Sequence, residues 1–138
     1  MPAPLKISEA ASLALHAMVL LSGQAGRTMS TPEIARRLRV SGHHLSKVLQ
    51  RLGRAGLVAS RRGPKGGFSL AKAGAEITLL DIYQAVEGPA EEQGCLLGRP
   101  ACQGGCALGG LRHLLGAEVV GQLARTSLGD LAQGLGKT

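Results

Sequence analysis

Three cysteines, Cys95, Cys102 and Cys106, are the only ones in the chain and fall within twelve residues of one another. They occupy a glycine-rich stretch, GCLLGRPACQGGCALGG, downstream of a strongly basic region. Thiols gathered into one short segment suit a shared ligand or a redox pair better than scattered core packing. An odd number cannot all pair within one chain, so metal or redox use outranks a disulfide framework. A basic chain carrying such a segment reads as a nucleic-acid binder that responds to a chemical signal.

The composition narrows the partner. The formal charge of +7 and pI near 10.0 make a polyanion the default suspicion. With one Tyr (Tyr83), one Phe (Phe68) and no Trp, the chain lacks the exposed rings on which single-strand and RNA binders stack bases. Leu, Ala and Val must do the packing, which favours close helix–helix contact over a β-sandwich. MPAPLKISEA has no basic segment leading into an apolar run, and Leu13 to Leu21 is too short to span a bilayer. A cytoplasmic protein is expected, with no membrane partner and reduced thiols.

The elements that must position these groups follow from periodicity. Residues 8–22 read as a buried helix capped by Ser8. Thr31, Pro32 and Glu33 predict an N-cap, a proline at the first helical position and an acid in the first turn of a short helix that SGHH breaks. Its inner face carries Ile34, Ala35 and Leu38. A second helix begins near Ser41. Leu45, Val48, Leu49 and Leu52 form its apolar stripe, and His43, Ser46, Lys47, Gln50, Arg51 and Arg54 fall opposite. Gly56 suits its C-terminal cap. LVASRR (57–62) and GFSLAKAG (67–74) are short strand candidates joined by GPKG. Thr78 and Asp81 form a capping-box pattern opening LLDIYQAVEG, which ends at Gly88. Residues 90–105 are a loop. From Cys106 to about Arg125 a helix carries Leu108, Leu111, Leu115 and Val119, and Thr126 or Ser127 caps a last short helix.

Two short helices, a tight turn, then two strands and a basic turn predict a mainly α fold with a small β-wing, a winged helix-turn-helix. The polar face from Ser41, with His43, His44, Ser46, Lys47, Gln50 and Arg51, fits a major groove, and Thr31 stands at the start of the preceding helix. Adjacent in sequence, His43 and His44 share a helix face poorly, so a groove-facing role for His43 outranks a metal pair. In the wing, Arg61, Arg62 and Lys65 surround a turn with little bulk at Gly66 and Gly67, a narrow basic tip suited to a minor groove. The bland alternative is a solvated charged face.

The stretch TPEIARRLRVSGHHLSKVLQRLGRAGLVASRRGPKGGFSLAKAGAEITLLDIYQAVEG resembles the winged-helix regulators that include IscR, NsrR and CymR. RAGLV-x-S-x-RG-x-x-GG-[FY] together with ITLLDIYQAVEG carries the resemblance, which extends over nearly the whole chain. It implies a homodimer on a pseudo-palindromic double-stranded DNA operator, with C-terminal helices crossed at the interface, and a repressor role. Residues 1–88 are then the DNA-binding domain, 89–106 the sensor loop, and 107–138 the dimerisation helix with its short terminal helix. The stripe from Leu108 to Val119 serves such an interface or an intramolecular core equally well.

The resemblance also implies an iron–sulfur cluster, of two or four irons, on Cys95, Cys102, Cys106 and a fourth ligand. Such clusters want thiolates, and a glycine-rich loop lets three converge. Cys106, read as opening a helix, would have its anionic sulfur favoured by unpaired N–H groups. The spacing here is C-x6-C-x3-C, and the histidine that relatives carry three residues after the last cysteine is replaced by Gly109. Glu9, Ser12 and His16 share one helix face and are the candidates for the fourth ligand. His16 matches a histidine ligand of one subgroup; the acidic ligand position of others falls on Ser12, a poor iron ligand. A hydrogen-bonded core histidine is the competing role for His16, and Glu9 also suits the helix dipole as a plain first-turn acid. His113 reads as a surface or interface residue. A thiol switch on Cys102 and Cys106, a zinc site or inert cysteines compete with the cluster. An iron–sulfur electron carrier and an architectural DNA-binding protein compete with the regulator. No nucleophile–base arrangement marks an enzyme.

Overall fold

The computed structural model describes residues 7–24, 26–88, 102–103 and 105–135, with the backbone alone at 112 and 132–135. The order is α1 (Glu9–Ser22), α2 (Thr31–Leu38), α3 (Gly42–Arg54), β1 (Val58–Arg61), β2 (Gly67–Leu70), a 3₁₀ turn (Gly74–Glu76), α4 (Leu79–Glu87), α5 (Gly109–Arg125) and α6 (Leu128–Leu135). It is mainly α with one two-stranded antiparallel sheet, as the periodicity predicts.

Helix α1 is the hub. Ser8 Oγ accepts from Ala11 N at 3.0 Å, the cap expected there. The same hydroxyl donates to the Glu87 carboxylate, tying the start of α1 to the end of α4. Ala11, Leu13, Ala14, Ala17, Met18 and Leu21 are buried because α2, α3, α4, α6 and β2 all pack around this helix. Fully buried Met18, Ile34, Leu45, Leu49, Leu52, Ile77, Ile82 and Leu128 complete the core. Each such side chain contributes roughly 1.5–3 kcal/mol relative to exposure.

The helix-turn-helix differs in detail from the sequence reading. The α2 cap is Ser30, whose Oγ accepts from Glu33 N at 3.2 Å; Thr31 is the first helical residue and stands half-buried. Proline is tolerated throughout a first turn, where N–H groups lack intrahelical partners, so Thr-Pro-Glu cannot by itself locate the cap. Helix α2 stops at Arg39, not at SGHH. Arg39 is left-handed (φ 57, ψ 47), and its N–H returns to Ala35 O and Arg36 O. Ser41 then caps α3, accepting from His44 N.

Helix α3 ends in a Schellman motif. Gly56 takes φ 76, Leu57 N donates to Leu52 O and Gly56 N to Gly53 O, both at 3.0 Å. Those bonds, with Ala71 N donating to Leu57 O, occupy the flanks of the wing and trim its strands to four residues each. The register runs from Val58↔Leu70 to Arg61↔Gly67. Met29 pairs with Phe68 through two bonds of 2.9 and 2.8 Å, and Thr28 Oγ1 donates to Lys65 O at 3.0 Å. The segment before α2 and the wing are therefore held together.

Two capping boxes sit side by side. Thr78 and Asp81 exchange bonds of 3.0 and 3.1 Å, and Ser127 and Asp130 exchange bonds of 2.9 and 3.1 Å. Leu79 N donates to Thr126 O and Leu128 N to Ile77 O, both at 2.9 Å. These bonds carry the chain after α5 back to the core, where Leu128 is fully buried.

Candidate nucleic-acid interface and cysteine segment

Leu45, Val48, Leu49 and Leu52 pin α3 to the core. His43, Lys47, Gln50 and Arg54 recur at four, three and four residues, so they form one exposed stripe on the opposite side. Ser46 and His44 flank it half-buried. Arg51 is placed differently from its neighbours: its Nη1 donates to Val86 O at 3.1 Å. That bond supports the last turn of α4, whose carbonyls have no helical partner. Periodicity puts Arg51 on the polar face; a tertiary contact takes its guanidinium.

On the wing, Arg61, Arg62 and Lys65 are exposed. Among the described residues no carboxylate stands within ion-pair distance of Lys47, Arg54, Arg61, Arg62 or Lys65. Gly66 and Gly67 do more than spare bulk at a tip. Their first duty is internal. A Cβ on Gly66 would stand 2.1 Å from Arg61 O, and one on Gly67 2.3 Å from Met29 O.

The α1 face of Glu9, Ser12 and His16 lines a cleft of about 310 Å³ together with Leu13, Leu38 and Val40. Leu38 ends α2 and Val40 lies in the turn before α3. His16 is exposed, which rules out the core-histidine role. Its Nδ1 lies 2.7 Å from Ser12 O. A carbonyl can only accept, so a neutral ring carries its proton on Nδ1 and presents the Nε2 lone pair. Glu9 Oε1 lies 3.9 Å from Nδ1 of His44, bridging α1 and the start of α3.

Cys102 and Cys106 are exposed free thiols, and Cys95 lies outside the described residues. Helix α5 begins at Gly109, after Leu108, so Cys106 precedes the helix instead of opening it. The Cys106 carbonyl accepts from Gly109 N at 3.1 Å, forming a turn ahead of the helix. The expected stabilisation of its sulfur by a first helical turn is not built there. A Cβ on Gly109 would lie 3.7 Å from Cys106 Cβ, so a side chain at 109 would stand beside this thiol. Among the described residues no three His, Cys, Asp or Glu side chains gather into a metal site.

None of the described side chains of α5 belongs to the buried core. Leu108, Leu111 and Leu114 are 54%, 49% and 65% exposed, while Leu115 and Val119 are half-buried. The intramolecular-core option for the stripe therefore fails at its N-terminal half. The sequence reading overlooks Leu114, although its spacing of three from Leu111 is an available signal. No helix among the described residues is long and apolar enough to cross a membrane.

Comparison with known proteins agrees with this architecture. CymR (YrzC), the global cysteine regulator of B. subtilis, superposes with a TM-score of 0.80 at 32% identity, covering 94% of this chain and 98% of that one. IscR of T. potens shares the fold, with a TM-score of 0.76 at 23% identity over 95% of this chain and 88% of its own. The HTH-type transcriptional regulator IscR of Photorhabdus laumondii is 35% identical over 115 residues, 82% of this chain and 69% of that protein. YwgB of Bacillus subtilis (strain 168) is 45% identical over 85 residues, 61% of this chain and 54% of YwgB, so the match spans about half of that relative. These relatives regulate transcription and are not enzymes. The family model described as Rrf2, iron-dependent transcriptional regulator, matches residues 7–134. With a helix-turn-helix, a wing and an outlying α5 in the matching order, the chain belongs to the Rrf2 family of transcriptional regulators.

Proposed function

We propose that the chain works in the cytoplasm as a homodimeric repressor on a pseudo-palindromic DNA operator, its affinity set by an iron–sulfur cluster. The observation that carries the DNA reading is the acid-free exposed stripe on α3, fixed from behind by four buried leucine and valine side chains. In a major groove Gln50 can pair with adenine, Lys47 with guanine, and Arg54 with phosphate. Arg62 and Lys65 extend the contact along the backbone from the wing, with Thr31 and Ser41 at helix starts that face phosphate well. Two copies joined through α5 would set their α3 helices one DNA turn apart, about 34–36 Å.

The test is salt dependence. Replacing Arg62 and Lys65 together by alanine is expected to reduce the slope of log K against log salt by about 2, because each lost phosphate contact removes roughly 0.9. Sequence preference should survive. An unchanged slope would exclude the wing from the interface.

The signal reading rests on the donor set. Cys95, Cys102 and Cys106 can supply three thiolates, and His16 an imidazole Nε2 from either copy of α1. The exposed thiols of Cys102 and Cys106 and an exposed imidazole whose Nδ1 is already engaged fit an iron–sulfur group chemically. Such a group, when bound, supplies a centre that oxygen, nitric oxide or iron shortage can alter. The residues around His16 provide the coupling: its cleft is walled by Leu38 and Val40, so tension on α1 reaches the turn that aims α3. A coupling of about 1–3 kcal/mol would change operator occupancy tenfold or more.

Anaerobic purification is expected to yield coloured protein with matched iron and sulfide, lost in serine variants of each cysteine and diminished in His16→Ala. A second reading, a thiol switch, draws support from the exposure of both Cys102 and Cys106. Colourless, iron-free protein whose DNA affinity responds to peroxide, and loses that response in Cys102→Ser, would replace the cluster by the switch.

A further inference from the structure

A second cleft, of about 680 Å³, has no α3 residue in its lining and lies between the end of α1, residues 24 and 26–28, the sheet, residues 72–75 and the start of α6. Its rim carries three cations from three separate segments: Arg27, Arg61 at the end of β1, and Lys72 after β2. Among the described residues no Asp or Glu lines it. Among the described residues the Arg27 side chain bonds Gln24 Oε1, at 3.5 Å, and none of Arg27, Arg61 and Lys72 has a carboxylate within ion-pair distance. Ser60 and Ser69 add hydroxyls, while half-buried Leu70 and the exposed Ala59, Ala73 and Ala75 supply apolar lining.

Three like charges bordering one concavity, with no acid lining it among the described residues, give it a positive field that favours a bound anion. The volume falls in the usual range for small-molecule sites. Duplex DNA fits this shape poorly, since its phosphates line the outside of a convex rod and have no apolar body to cover Leu70 and Ala59. Val58 and Phe68 line the cleft beside Leu49 and Arg54 of α3, and Ala59, Arg61 and Ser69 line the cationic one. Ser60 lines both, so the two surfaces adjoin along β1 and only titration separates their ligands.

We propose that this cleft binds a small organic anion, a carboxylate or phosphate ester with an apolar body, held by Arg27, Arg61 and Lys72. The ligand would join β1 to the segment whose Thr28 and Met29 already hold the wing. Its occupancy would therefore steady the wing, and the effect on operator affinity rests on the DNA reading above. Binding itself does not.

The full chain, labelled with ¹⁵N, is titrated with phenyl phosphate, benzoate and inorganic phosphate. Shifts are expected at amides 24–28, 59–61, 69–75 and 128–129, with phenyl phosphate at least tenfold tighter than inorganic phosphate. Arg27→Ala and Lys72→Ala each weaken phenyl phosphate about tenfold or more, and Arg37→Ala, which removes an equal charge outside the cleft, does not. Wild-type affinity in both cleft variants, or shifts confined to α3, overturns the proposal. Equal affinity for phenyl and inorganic phosphate overturns the assignment to an organic anion. A random-sequence duplex added in a separate titration distinguishes the sources: if it perturbs the same amides and Lys72→Ala lowers its salt slope, the cleft belongs to the DNA footprint and the proposal falls. If duplex DNA fails to bind while phenyl phosphate does, the DNA reading fails and the cleft stands.

Discussion

Gly67→Ala is expected to detach the wing and to cost about 3–5 kcal/mol of stability. The new Cβ would stand 2.3 Å from Met29 O, 2.5 Å from Met29 C and 2.8 Å from Ser30 N, all backbone atoms that cannot swing aside. Residue 67 also holds φ +151, a region L side chains rarely adopt. Relief requires breaking the two bonds between Met29 and Phe68, each worth about 1 kcal/mol net, on top of backbone strain of roughly 1–3 kcal/mol. Gly56→Ala separates the two causes, because Gly56 has φ +76 but a methyl group there would meet nothing within 4 Å. That variant should lose only about 1–2 kcal/mol. Urea melts of both proteins decide it. Equal losses would show that the Met29–β2 contact does not hold the wing.

The second large effect concerns α5. Replacing Leu111 and Leu114 together by aspartate is expected to convert the proposed dimer to a monomer. Affinity for a full operator should then fall by about 10²–10⁴, the avidity lost when two linked half-site contacts become one. Both side chains are about half exposed or more, and none of the described α5 side chains joins the buried core, so the fold of each chain should persist. Light scattering reports the mass, and titration of full and half operators reports the avidity. A variant that remains dimeric would remove α5 from the interface. A monomer that bound the full operator undiminished would remove dimerisation from DNA recognition.

Much of this architecture is legible because short-range rules dominate it. Ser8, Thr78 with Asp81, and the leucine stripe of α3 are local signals, and each element forms where those signals stand. Misplacements arise where a neighbour distant in sequence competes or a local signal is ambiguous. The cap of α2 falls on Ser30, since a proline in the first turn leaves the preceding residue ambiguous. The strands are shorter because Leu57 closes α3 before it can join the sheet. Arg51 leaves the polar stripe for Val86 O, thirty-five residues away. The glycines of the wing are explained by the backbone of Met29 and Arg61 instead of by an outside partner.

The cysteines mark the same boundary. By itself the sequence determined their number, their grouping beside a basic winged helix and the absence of a histidine at Gly109, because composition and spacing need no fold. Only the tertiary structure decided that His16 is exposed with its Nδ1 against Ser12 O, that its cleft touches the turn ahead of α3, and that Cys106 stands before α5 and not within it. Those outcomes depend on which helices close around α1 and on where a helix starts without a side-chain cap. Such choices are made by packing between distant segments, which no local pattern encodes.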